Sequence, residues 1–140
     1  MSVQAVLLPV FVLVVLTFTL MFSMGYLRVR SLKRGELKIK DIALRQPNWP
    51  VRPTQVANAY HNQLELPVLF YLLTVLALVT RLADLLFVVM AWLFVVSRLA
   101  HAYVSVTSNN VPRRFRTFVV GVLVLLAMWV IFIVRLLLAI

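Results

Sequence analysis

The longest apolar stretch of the chain, residues 3–27, contains no charged residue. As an α-helix it would be about 37 Å long, more than the roughly 30 Å hydrocarbon core of a bilayer. Three more apolar stretches follow, and only 13% of the 140 residues are charged, against about 25% in a soluble domain. We therefore predict an all-α integral membrane protein: one four-transmembrane-helix bundle over residues 1–140, with spans at about 3–27, 54–79, 84–107 and 113–138.

The positions of the cations predict how the spans are oriented. Eleven of the fourteen Lys and Arg residues lie in two segments, 28–52 and 113–116, and only Arg81 and Arg135 lie at the opposite ends of the spans. Cytoplasmic loops retain Lys and Arg, so we expect both basic segments in the cytoplasm and both termini outside. No polar fold surrounds these cations, which argues for membrane lipid rather than nucleic acid as the partner. The first span has neither a basic start nor an A-x-A site, which indicates a retained helix rather than a cleaved signal.

Composition excludes several kinds of active site. The chain has no cysteine and three glycines, which excludes thiolate chemistry from the protein itself and argues against a glycine-rich phosphate loop. His61, His101 and Glu65 are the only grouping with metal-ligand chemistry, and two histidines on different helices are a weak signal. We therefore predict no metal site.

Polar side chains form one stripe on each of spans two and three. Steps of three and four place Asn58, Asn62 and Glu65 on one helical face, with His61 beside them, and place Arg98, His101 and Ser105 on another. The short turn at residues 80–83 makes these helices neighbours, and the two stripes lie at similar depth. The pattern predicts a polar pocket open to the cytoplasm.

Charges inside that pocket need partners. A charged side chain at the centre of the membrane costs about 2.5–3.5 kcal/mol, so we expect Glu65 and Arg98 to form an ion pair. The pair could equally be a purely structural contact between the two helices. Pro67 is expected to kink span two and to free the carbonyl of Gln63.

Three segments of the chain together carry a family resemblance. The run Ala59-Tyr60-His61-Asn62-Gln63-Leu64-Glu65-Leu66-Pro67, the run Arg98-Leu99-Ala100-His101 and the turn Pro112-Arg113-Arg114 resemble the MAPEG family, membrane-associated proteins in eicosanoid and glutathione metabolism. The resemblance implies a homotrimer that binds glutathione as co-substrate between adjacent subunits near the cytoplasmic face. It also implies that Asn62, Glu65, Arg98 and His101 contact glutathione, together with His61 and with Arg28 or Arg30, while Arg114 or Arg113 stabilises the thiolate.

The function expected from this resemblance is a glutathione-dependent transferase or peroxidase that acts on lipophilic electrophiles in a bacterial inner membrane. The sequence departs from the catalytic pattern at His61, Ser105 and Phe115. A non-catalytic lipid- or thiol-binding protein of the same fold therefore stays open. A small proton-coupled exporter that uses Glu65 is a third possibility, although such exporters usually carry the glutamate in span one.

Overall fold

Five α-helices make up most of the residues that the structure, a computed structural model, describes: 2–44 and 47–139. They are α1 (Val3–Lys33), α2 (Val51–Asn62), α3 (Leu66–Val79), α4 (Leu85–Val106) and α5 (Val111–Leu138), with a short 3-10 turn at Ile39–Asp41. The described ranges contain no strand. Four segments are long and apolar enough to cross a membrane, namely α1, α2 with α3, α4 and α5. The prediction of an all-α protein with four spans is confirmed.

The first span is longer than the sequence predicted. Nothing between Arg28 and Lys33 breaks a helix, so α1 continues to Lys33 and ends where Gly35 adopts φ +71°. This left-handed conformation favours glycine because it has no Cβ. With 31 residues, α1 is about 46 Å long, so its last turns extend beyond an apolar core of about 30 Å.

The second span consists of two helices, so the prediction of a single kinked helix from residue 54 is wrong. The first of them, α2, begins at Val51 and ends at Asn62, and α3 begins at Leu66 with Pro67 in its first turn. Proline has no N–H for the preceding turn, and its ring clashes with that turn. Residues 63–65 therefore form a turn between the helices. The carbonyl of Asn62 accepts the Glu65 amide at 3.4 Å and also accepts one side-chain donor from α4.

The core of the bundle lies where α1, α3, α4 and α5 meet. Its fully buried side chains include Leu13, Phe70, Phe94 and Leu125, and the rings of Phe70 and Phe94 lie 4.9 Å apart. The outward faces of the same helices expose many large apolar side chains. In a membrane protein such faces contact lipid, so this distribution agrees with four spans in a bilayer.

The turn between α3 and α4 is tied to the end of α5. Asp84 caps α4, because its carboxylate accepts a hydrogen bond from the Phe87 amide at 3.0 Å. The carboxylate also pairs with Arg135 of α5 at 2.5 Å. Burial opposes ionisation of Asp84, but the bonds from Phe87 and Arg135 more than offset it, so its pKa lies below the ordinary value.

The Asp84 contacts predict a small, pH-dependent stabilisation. Asp84→Ala should lower the free energy of unfolding by about 1 kcal/mol, since it removes the helix cap as well as the half-buried ion pair. Asp84→Asn keeps a capping oxygen and should lose less. The folded-state pKa is depressed, so the stabilisation is present above about pH 4 and disappears as the pH falls through that lower pKa. Unfolding in detergent at pH 7 and pH 3 measures both effects; equal losses at the two pH values would contradict a role for the carboxylate.

Candidate functional site

A polar cavity of about 470 Å³ opens between α2, α4 and α5, a volume within the usual range for small-molecule sites. Five of the predicted site residues line it: His61, Asn62, Glu65, His101 and Arg114. Asn58 and Ser105 complete the polar wall, and Phe115 and Phe118 supply an apolar one. The cavity lies where α4 ends and α5 begins, which is the end of the bundle that carries the basic segments.

The imidazole of His101 joins the three helices around this cavity. Its Nε2 lies 3.1 Å from the side-chain nitrogen of Asn62 in α2, and its Nδ1 lies 3.1 Å from the carbonyl oxygen of Arg114 in α5. The Asn62 amide donates to Nε2, so Nδ1 carries the proton and donates to the Arg114 carbonyl. A neutral His101 thus fixes the positions of Asn62 and of the first turn of α5.

Arg98 does not form the ion pair that the sequence predicted. Its guanidinium donates to the backbone carbonyl of Asn62 at 3.1 Å, and the side chain is 1% exposed. Glu65 instead lies in the turn between α2 and α3, where it is exposed and lines the cavity. Within the described residues the only salt bridge joins Asp84 and Arg135, so the Glu65–Arg98 prediction is wrong. The helix break explains this result, because it supplies Arg98 with a backbone acceptor.

The buried guanidinium of Arg98 is incompletely hydrogen-bonded. Its Nε and Nη1 atoms have no partner among the residues that the structure describes. Gly121 of α5 lies beside it. A Cβ on this glycine would come within 3.0 Å of Ser97 Oγ and 3.7 Å of Arg98 Cδ. The glycine therefore allows α5 to pack closely against the face of α4 that carries Arg98.

The two arginines at the start of α5 occupy different environments. Arg114 lines the cavity, and its Nη1 donates to the side-chain oxygen of Asn109 at 2.8 Å. Arg113 is exposed and contributes no side chain to the cavity wall. Asn110 fixes this arrangement, since its side chain caps the helix at the Arg113 amide. Of these two arginines, Arg114 lines the cavity and Arg113 does not.

The predicted residues of α1 lie outside this cavity. Arg28 lines a neighbouring cavity of about 500 Å³, which shares His61 and Asn58 with the first one. Its guanidinium lies 4.9 Å from the ring centre of Trp49, a cation–π distance. Arg30 lies on a separate outer surface of α1.

Some neighbours of the site could not be read from spacing. Trp49 lines the neighbouring cavity from a segment outside the helices, so periodicity gives no signal for it, whereas Phe115 and Phe118 share helical spacing with Val111. Tyr103, in contrast, is 69% exposed and faces away from the site. Across residues 2–44 and 47–139, no three His, Cys, Asp or Glu side chains are grouped so that they could hold a metal ion.

The fold and the site together define a polytopic membrane protein with four spans and a polar cavity at one end of the bundle. The model of the MAPEG family matches residues 6–134. The chain therefore belongs to the MAPEG family. Comparison with curated proteins gave no significant match, and neither did comparison with solved structures.

Proposed function

We propose that the protein binds glutathione in the polar cavity and presents its thiolate to lipophilic electrophiles, as a transferase or a peroxidase. The observation that carries this proposal is the convergence of Asn62, Glu65, His101 and Arg114 on one cavity. Among the residues that the structure describes, Arg114 is the one Lys or Arg that lines it. We assign the stabilisation of the glutathione thiolate to this arginine.

The charges of the cavity complement those of glutathione, which carries two carboxylates, one ammonium group and a thiol. Glu65 is exposed to the cavity and can pair with the ammonium group. Asn62 donates its amide to His101, which leaves its side-chain oxygen to accept a peptide N–H. Arg28, in the neighbouring cavity, supplies a guanidinium that suits a carboxylate.

The chemistry follows from the position of Arg114. A nearby guanidinium lowers the pKa of a bound thiol from about 8.5 towards neutrality, and the thiol proton passes to water. The sulfur then attacks an electrophilic carbon, a C–S bond forms, and the leaving group departs with its electron pair. Phe115 and Phe118 provide an apolar wall beside the sulfur position, which suits an electrophile that arrives from the lipid.

We also infer that the protein lies in a bacterial inner membrane as a homotrimer, with both termini outside and the basic segments in the cytoplasm. The trimer rests on the family, and the orientation rests on the distribution of Lys and Arg. In this arrangement the open side of the cavity would face an adjacent subunit, and glutathione would enter from the cytoplasm.

Arg114→Gln is expected to weaken glutathione binding by about 10- to 100-fold, as the loss of a charge-assisted bond of about 1.5–3 kcal/mol predicts. The matched control is Arg113→Gln, which removes the same charge from an exposed position one residue earlier. This control variant should bind glutathione normally. Titration of both variants with glutathione and with S-methylglutathione, in one detergent, makes the comparison. The thioether has no ionisable thiol, so Arg114→Gln should weaken its binding much less.

Two results would contradict the proposal. Equal affinities of the Arg114 and Arg113 variants for glutathione would remove Arg114 from the site. A wild-type protein that shows no thiolate absorbance at neutral pH when glutathione binds would be a binding protein rather than an enzyme. The resemblance leads one to expect a tyrosine where this chain has Ser105 in the cavity wall, and the nearby Tyr103 is 69% exposed and does not line the cavity, which favours this second function. A conjugation assay with an aromatic electrophile separates the two functions.

A further inference from the structure

Arg114, the arginine that lines the cavity, is held at both of its ends. At its backbone, the carbonyl oxygen accepts from Nδ1 of His101 in α4 at 3.1 Å. At its tip, Nη1 of the guanidinium donates to Oδ1 of Asn109 at 2.8 Å. Asn109 lies in the turn between α4 and α5 and is not among the residues that line the cavity. The position of the guanidinium therefore depends on a residue that does not itself line the cavity.

The backbone of the turn fixes Asn109 to the end of α4. Its amide donates to the carbonyl of Val104 at 2.8 Å, which satisfies one of the last carbonyls of the helix. Its φ of +49° lies in the left-handed region, which asparagine tolerates better than most residues that carry a side chain. Arg114 belongs to the first turn of α5. The bond between the two side chains thus joins the end of α4 to the start of α5.

This bond has a direct consequence for an anion that binds in the cavity. A ligand that must immobilise a free arginine side chain loses affinity, because the side chain gives up its rotational freedom on binding. The bond to Asn109 fixes the guanidinium before any ligand arrives. It uses one of five N–H donors, so the others stay available to a ligand. Because the amide oxygen is neutral, it orients the guanidinium without cancelling its positive charge.

We propose that Asn109 is a positioning residue that holds the guanidinium of Arg114 in place for the bound thiolate. The proposal rests on the function proposed above, in which Arg114 stabilises the thiolate of glutathione. Asn109 acts through the arginine alone and makes no contact with the ligand. Its removal should therefore matter only while Arg114 is present.

Asn109→Gly tests the bond without disturbing the turn, since glycine adopts a φ of +49° without strain. This variant should bind glutathione about threefold to tenfold more weakly, which is the effect of ordering one long side chain. The absorbance of the bound thiolate should also appear at higher pH than in the wild type. The matched control is Asn110→Gly, which removes the neighbouring side-chain amide. That amide bonds to the backbone of Arg113, and glycine replaces it at a helix cap with little loss of stability, so this control should match the wild type.

Asn109→Asp separates the position of the guanidinium from its charge. Aspartate keeps an oxygen acceptor and also tolerates the left-handed region, so the guanidinium should stay fixed. The new carboxylate pairs with the guanidinium, however, and weakens its attraction for the thiolate. The thiolate absorbance should therefore appear at higher pH than in Asn109→Gly. Side-chain nitrogen NMR of the protein without glutathione reports the position directly: the Arg114 signal, identified by its loss in Arg114→Gln, should show restricted rotation in the wild type and in Asn109→Asp but free rotation in Asn109→Gly.

A double variant shows whether Asn109 acts through Arg114. Added to Arg114→Gln, Asn109→Gly should cause no further loss of glutathione affinity. A further loss as large as in the wild type would overturn the proposal, because it would show an effect of the turn alone. A wild type that binds no glutathione would end the proposed function, and the NMR comparison would still decide the role of Asn109. Restricted rotation of Arg114 that survives in Asn109→Gly would overturn that role, whereas its loss there and its retention in Asn110→Gly would support it. Thermal unfolding of each variant verifies that it is folded.

Discussion

Arg98→Ala is expected to lower the free energy of unfolding by about 3–5 kcal/mol, whereas Arg98→Met should lower it by less than about 1 kcal/mol. The Arg98 side chain is fully buried between α4 and its neighbours, so alanine leaves a cavity of the kind that large-to-small replacements produce. Methionine fills most of that volume. It also removes a buried charge whose desolvation is only partly repaid by one hydrogen bond to the Asn62 carbonyl.

Glu65, in contrast to Arg98, is expected to contribute little to the stability of the bundle. Glu65 is exposed and makes no ion pair with Arg98, so Glu65→Gln should change the free energy of unfolding by less than about 0.5 kcal/mol. Equilibrium unfolding in mixed micelles at one detergent ratio measures the three variants together. If Arg98→Met were as unstable as Arg98→Ala, the charge itself would be required. If Glu65→Gln cost several kcal/mol, the two side chains would be paired in the membrane.

The four spans could be predicted because the bilayer imposes a simple rule on the sequence. Uncharged stretches longer than the hydrocarbon core have few other structures available, and the caps at Asp84 and Asn110 follow from local hydrogen bonding. The division of span two was harder to foresee. Proline inside a membrane helix often only bends it, since neighbouring groups can satisfy the freed carbonyl. Here the helix is broken instead, and Arg98, which lies 36 residues away in the sequence, donates to the carbonyl of Asn62 at the break.

In the site, too, helical spacing predicted which residues of one helix lie together, but it could not predict contacts between segments far apart in the sequence. Helical spacing correctly grouped Asn58, Asn62 and Glu65 on one wall, and it placed His101 opposite them. The sequence left Arg113 and Arg114 as alternatives, and the structure places Arg114 on the face of α5 that also carries Val111 and Phe118. The side chain of Trp49 reaches Arg28 through the fold of the connecting segment, and no periodicity encodes that contact.

Gly121→Leu is expected to destabilise the bundle by about 3 kcal/mol and to displace the start of α5. A Cβ at this position would already lie 3.0 Å from Ser97 Oγ and 3.8 Å from a methyl group of Leu66, so a larger side chain must push α5 away from α4. Arg114 lies seven residues earlier on the same face of α5. The displacement should therefore also break the bond between His101 and the Arg114 carbonyl.

Gly25→Leu is the matched control, because a Cβ on Gly25 would meet nothing within 4 Å and leucine is the better helix former. This variant should be as stable as the wild type or more stable. Gly121→Ala should lower the free energy of unfolding by less than Gly121→Leu does. Adding Ser97→Gly to the Gly121→Ala chain should recover part of that lost stability, because it removes the contacting hydroxyl. Unfolding measurements report the stability, and the imidazole NMR signals of His101 report the hydrogen bond to α5. Equal stability of Gly121→Leu and Gly25→Leu would contradict the close approach of α4 and α5. A failure of Ser97→Gly to recover any stability in the Gly121→Ala chain would place the steric conflict at Arg98 or Leu66 instead.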